Sequence, residues 1–357
     1  MTEKSPHSAR HTDRQVRRAP GWIAPVLAGA VAVAVTWGIG STIFRGALVE
    51  RGLPEQVNEA SADARMTWEY GAKLADLASQ AQALAQLAPE DNASRLSALA
   101  TSLSQGSAVL GELRFDDQEP AALPQTFSPD ALVALATNVA DASSAMPAFA
   151  EPSLSRDSKL AQIAFQINLD ARSAVASLGE ERDVDLALPL SAVSGEEEQK
   201  DQPVACLPNE ELLDPAKEIT EAQNIEPTAV ARALDRGYAL DFLLQLTAAR
   251  GADSAKEAVE ARRSELGRQL RGLRAAVDEQ CADLREPAYA LPEGGLEDLA
   301  ALSAEAEGDF ADALVVAAGV SDGAAGAKIS AVAFQTLNGQ QGSNEEYRIL
   351  ETGEVGK

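Results

Sequence analysis

The feature that most constrains this chain is a phrase it writes twice. "EPAALPQTFSPDALVALATNV" starts at Glu119 and "EPAYALPEGGLEDLAALSAEA" at Glu286, about half a chain length later. Each phrase opens with Glu-Pro-Ala, passes through Ala-Leu-Pro and runs into an Ala- and Leu-rich stretch. The marker residues are Glu119, Pro120 and Pro124 in the first copy and Glu286, Pro287 and Pro292 in the second. Prolines at this density break regular structure, so each copy reads as a long connection entering a helix. The stretches before the two phrases match as well: "ASRLSALATSLSQGSAVLGELR" and "ARRSELGRQLRGLRAAVDEQCA" are both helical in pattern. A chain that repeats helix, long connection, helix in this way is expected to contain two related helical units.

The surrounding periodicity supplies the remaining helices. Leu74, Leu77, Ala81, Leu84 and Leu87 recur at spacings of three and four, the stripe of an amphipathic helix, and Pro89 ends it. Leu96, Leu99, Leu103 and Leu110 mark a second helix, with further helices expected near 130–147 and 156–179. In the second half a helix is expected to start at a Thr228 cap after Pro227. It carries Leu240, Leu243, Leu244 and Leu246 and stops at Gly251. Leu266, Leu270, Leu273 and Val277 mark the next, followed by helices near 295–318 and 324–339. Aromatic residues make up only 4% of the chain, and the apolar content is largely Ala, Leu and Val. Ala and Leu are strong helix formers, so the fold class is all-α. In each unit the long connection falls between helices two and three. A long crossover there is the mark of ferritin-like bundles, whose second and third helices run parallel.

Residues 22–44 contain no charged side chain, and the span is close to the roughly 20 residues needed to cross a bilayer. Arg17 and Arg18 precede it and Trp22 opens it, an arrangement suited to a membrane interface with the N-terminus inside. The apolar core is longer than that of a cleaved signal peptide, and no Cys follows it to carry a lipid. The reading is therefore an uncleaved single-pass anchor in the cytoplasmic membrane, with the bulk of the chain outside. The expected organisation is a basic tail (1–21), the anchor (22–44), a juxtamembrane segment (45–59), a first bundle (60–179), an acidic Pro-containing linker (180–226), a second bundle (227–345) and a tail (346–357). A short helix is expected near Glu210 to Lys217. The two cysteines, Cys206 and Cys281, both fall in the exported part, where disulfides persist. They are candidates for one bond pinning the linker to the second bundle, the alternative being two separate buried thiols.

The residues "ARALDRGYAL", "ARRSELGRQLRGL", "EPAYALP" and "FADALVVAAG" of the second half, about 227–345, resemble the ferritin-like domains of unknown function found in actinobacterial secreted and membrane proteins. That resemblance covers about a third of the chain, or two thirds with its echo in the first half. It implies a four-helix ferritin-like fold and an exported location, and no particular activity.

The chemistry-bearing residues argue against an enzyme. Ferritin-like di-iron proteins take their metal ligands from Glu residues and Glu-x-x-His pairs. This chain has only two histidines, His7 and His11, both before the anchor. A Ser-His-Asp or Cys-His arrangement outside the membrane is excluded for the same reason. Asp235, Asp241, Glu265, Glu305, Glu307 and Asp309 lie on second-half helices, where a solvated acidic face is the simplest reading. Arg262, Arg263, Arg268, Arg271 and Arg274 form a basic patch, read as a solvent face or a contact for an acidic partner. Tyr238 and Phe242 form an aromatic pair with helical spacing. A net charge of −25 makes nucleic acid an unsuitable partner. The expected function is a non-catalytic accessory or interaction module, without cofactor, that meets the bilayer through 22–44 and binds another membrane or envelope protein. The alternative is a bundle holding a lipid, a tetrapyrrole or a carboxylate-bound metal in its core.

Overall fold

The structure is a computed structural model, and it describes residues 60–111, 121–147, 149, 152–178, 184–192, 202–250, 253–286, 288–289 and 298–341. Arg17, Arg18, Trp22 and the span 22–44 lie outside the described residues, as do Glu119, Pro120, Pro287 and Pro292. Among the described residues there are eight α-helices and no strand, so the chain is all-α there. None of these helices is long and apolar enough to cross a membrane.

The helices are α1 (Ala62–Leu87), α2 (Glu90–Leu110), α3 (Pro129–Ser144), α4 (Leu154–Ala176), α5 (Ile225–Arg250), α6 (Asp253–Arg274), α7 (Leu299–Val320) and α8 (Gly323–Gln341). Local chemistry explains several of their ends. Pro89 cannot continue α1, and α2 begins immediately after it. The Ser128 hydroxyl accepts the Ala131 N–H and Pro129 occupies the first turn of α3, where its missing donor costs nothing. Asp298 caps α7 through the Ala301 N–H. One expected start is corrected. α5 begins at Ile225, three residues before Thr228, because Pro227 fits inside a first turn; Thr228 is fully buried rather than capping.

Within each half the four helices pack in the cyclic order one, two, four, three. The pairs α2 and α3, and α6 and α7, therefore lie across the diagonal. Named contacts give the directions. A Cβ added at Gly71, early in α1, would strike Gly111 just beyond α2, and one at Gly106, late in α2, would meet Ile163 in the first half of α4. Arg95, early in α2, reaches the Ser173 carbonyl near the end of α4 at 2.7 Å. Neighbours thus run antiparallel, and α5 likewise runs against α6 (Asp241 to Arg263) and α7 (Thr247 to Ser303).

The cores follow the stripes, with two corrections. Leu74, Leu77, Ala81 and Leu84 are buried, whereas Leu87 at the end of the helix is 45% exposed. Leu266, Leu270 and Leu273 are buried on α6, but Val277 lies past the helix end and pairs with Val204 in an isolated parallel bridge. α4 serves both halves. Leu160, Ile163, Ile167 and Ala171 belong to the first core, while Ala161, Phe165 and Leu169 belong to the second. All eight helices belong to one compact unit that begins at Ala62.

Candidate functional site

The described parts of 180–226 pack closely against the helices. Leu186 and Val204 are buried. Asn168 of α4 donates to the Ser143 hydroxyl and the Ala187 carbonyl, and Arg172 donates to the carbonyls of Leu186 and Ala187. Ser330 of α8, fully buried, donates to the Pro189 carbonyl from the opposite side. Residues 184–192 are thus wedged between α3, α4 and α8 by buried polar groups that all have partners, which makes the arrangement specific.

Residues 202–224 form a strap over the second half, fixed at three places. Val204 exchanges backbone hydrogen bonds with the segment after α6, donating to the Ala276 carbonyl and accepting the Asp278 N–H. Cys206 and Cys281 are joined by a disulfide. Further along, Arg232 of α5 directs its guanidinium at three strap carbonyls, those of Leu212, Asp214 and Lys217, at 2.8, 2.8 and 3.1 Å. The strap carries the expected short helix as one 3-10 turn, Glu210–Leu213, capped by Asn209. Two cavities lie along it. One of about 80 Å³ sits beneath the disulfide against Val230, Leu234 and Arg274. The other, about 160 Å³, opens between the strap, α5, α7 and the first residue of α4, and Arg232 and Arg236 line it.

The sequence-predicted polar residues are mostly answered by one another. Arg262 holds Glu307 in a two-pronged ion pair, both bonds 2.6 Å, and Arg263 pairs with Asp241 and Glu260. Arg268 pairs with Glu265 one turn away. Arg274 donates to the Asp278 and Cys281 carbonyls. Glu305 and Asp309 are exposed. Among the described residues no group of three or more His, Cys, Asp or Glu side chains is placed to hold a metal ion. Tyr238 is buried in the second core, with the Arg285 guanidinium 4.8 Å above its ring. Phe242 meets Tyr289 of the second repeated phrase with ring centroids 5.9 Å apart. The Glu286 N–H donates to the Tyr289 hydroxyl at 3.4 Å, and Pro124 of the first copy lies in the segment leading to α3.

Three carboxyls stand above their ordinary range because burial disfavours their charge: Glu226, with Asp322 adding to the rise; Asp322, with Asp157 adding to it; and Asp235, where Arg236 opposes the rise and Glu286 adds to it. The cavity with its two arginines escaped sequence reasoning. Its walls come from segments far apart in the chain, and the one available signal was the i, i+4 spacing of Arg232 and Arg236 within "ARALDRGYAL". The chain matches no protein-family model, no curated protein and no solved structure.

Proposed function

We propose that this chain is a single-pass membrane protein, N-terminus inside, that holds its helical unit outside the cytoplasmic membrane. There it serves as a non-catalytic accessory or interaction module for another membrane or envelope protein. The observation that carries the reading is the disulfide between Cys206, which is exposed, and the half-buried Cys281. An accessible bond of this kind persists outside the reducing cytoplasm. The uncharged stretch 22–44, preceded by Arg17 and Arg18, supports the same side of the membrane. The packing order of each four helices, with the second and third on the diagonal, supports the ferritin-like reading, whose usual histidine ligands the chain lacks after residue 44. Large apolar side chains fully buried in both interiors, Phe165, Phe310, Leu99 and Leu132 among them, favour a role for the surface over a ligand in the bundle core.

The test uses the full-length chain in native membranes. A membrane-impermeant maleimide added from outside is expected to label Cys206 and Cys281 only after an external reductant. Labelling before reduction overturns the disulfide that carries the reading, and labelling only after lysis overturns the location. Crosslinking in the same membranes is expected to shift the chain into a defined heteromeric species identified by mass spectrometry. A chain that stays solitary at every crosslinker concentration overturns the accessory role.

A further inference from the structure

In a chain of net charge −25, cations are normally answered by the chain's own carboxylates, as Arg262, Arg263 and Arg268 are. The cavity of about 160 Å³ departs from that pattern. Its apolar walls come from four places: Leu154 at the start of α4, Leu213 and Ile219 on the strap, Ala229 on α5 and Val316 on α7. Its polar lining is two guanidiniums one turn apart on α5. Arg232 is occupied by three neutral carbonyls, which leave its charge in place. Arg236 is half-buried and has no hydrogen bond or ion pair among the described residues. The carboxylates bearing on the pair are Asp214, beside Arg232, and Asp235, which feels the charge of Arg236 and, more weakly, that of Glu286. Burial lowers the pKa of Arg232, Asp214 acts the other way, and the charge of Arg236, one turn along the helix, adds to the lowering.

We propose that this cavity binds a small apolar carboxylate, with Arg236 taking the carboxylate and the strap, α5 and α7 enclosing the hydrocarbon. A guanidinium presents paired donors that match a carboxylate in two-pronged geometry, and apolar walls strengthen the pairing by excluding water. The volume fits a group of about six carbon atoms, since an apolar protein cavity of about 150 Å³ accommodates benzene. The site lies at the strap rather than in either bundle core, and the inference does not depend on the membrane location proposed above.

The experiment titrates full-length protein, in an uncharged detergent, with isocaproate, its neutral amide and acetate, read by calorimetry. Isocaproate is expected to saturate one site per chain with a Kd below about 1 mM. The amide lacks the charge and acetate lacks the hydrocarbon, so each is expected to bind at least about tenfold more weakly. Arg236→Gln is expected to weaken isocaproate by about tenfold or more, while Arg236→Lys, which keeps the charge and loses the fork, retains part of the affinity. Ala313→Leu, at a half-exposed wall position, is expected to abolish binding by filling the cavity while leaving the helical circular dichroism unchanged. Equal binding of acid and amide, indifference to Arg236→Gln, or no saturable heat up to about 10 mM would each overturn the site.

Discussion

Gly237 sits where α5 is pinched between its neighbours. A Cβ there would lie 2.5 Å from a Leu270 methyl and 2.8 Å from the Phe310 ring, both deep in the second core. Gly237→Ala is therefore expected to destabilise the chain by about 1–3 kcal/mol through overpacking. Gly308 makes the control. It lies in α7 with nothing within 4 Å of an added Cβ. Gly308→Ala is expected to stabilise by roughly 0.5–1 kcal/mol through helix propensity alone. Thermal unfolding of the two variants checks both signs, and a like-signed pair would show that the helix contacts are misassigned. Thr228 offers a third residue-scale test. Its hydroxyl is fully buried without a hydrogen-bond partner, so Thr228→Val is expected to raise stability by about 1 kcal/mol by removing an unmet polar group. Thr228 also shows why helix starts were less legible than helix bodies. A Thr after a Pro satisfies a cap rule, but Pro227 fits a first turn equally well, and burial of Ile225 and Pro227 decides the matter.

At the scale of elements, the strap was the least legible part of the chain. Its buried residue Val204, like Leu186 in the segment before it, lies in a short apolar run broken by proline that is too brief to show a period. The helices beside it announce themselves through three-four stripes because each has a solvent face. α4 does not: Leu160 to Leu169 are buried on nearly every side, including Gln166 and Asn168, so its pattern gives the helix but hides its partners. The strap's covalent anchor closes a sequence separation of 75 residues. Replacing both cysteines with serine is expected to cost about 2–4 kcal/mol by freeing the unfolded chain. Helical content at room temperature should survive, since Arg232 and the Val204–Val277 bridge still hold the strap. A pH effect belongs to the element ends where Glu226 of α5 and Asp322 before α8 meet. Burial raises both pKa values, so the folded chain keeps these protons at pH values where the unfolded chain has released them. Their contribution to stability therefore increases as pH falls from neutral toward the ordinary carboxylate range. Asp322→Asn keeps a side chain suited to a helix start. It should raise the unfolding midpoint at neutral pH and leave it unchanged near pH 4, at about the ordinary value of such a group. An increment at both pH values would place the effect elsewhere.

For the whole molecule, the repeated phrase pointed to two like halves, and the described helices fall into two sets of four with the same packing order. What that pattern does not convey is that α4 belongs to both cores. Phe165 is fully buried among second-half residues, while Ile163 and Ile167 on the same helix are fully buried among first-half ones. Gly319 of α7 makes the approach possible: a Cβ there would lie 2.7 Å from the Ala161 Cβ and 2.7 Å from the Asp157 carbonyl. With α4 removed, the second half would expose the pocket that Phe165, Ala161 and Leu169 fill. Truncating one aromatic in that seam tests whether the halves stand or fall together. Phe165→Ala is expected to cost about 3–5 kcal/mol, the range for an aromatic deleted from a closed core. Because the lost contacts are second-half contacts made by a first-half helix, the loss should not be confined to either half. Hydrogen exchange should then show α2 and α3 losing protection together with α5 and α7, within one unfolding transition. Two separate transitions, with the first half still protected after the second has opened, would mean that α4 merely touches its second core. The helical unit would then behave as two independent bodies rather than one.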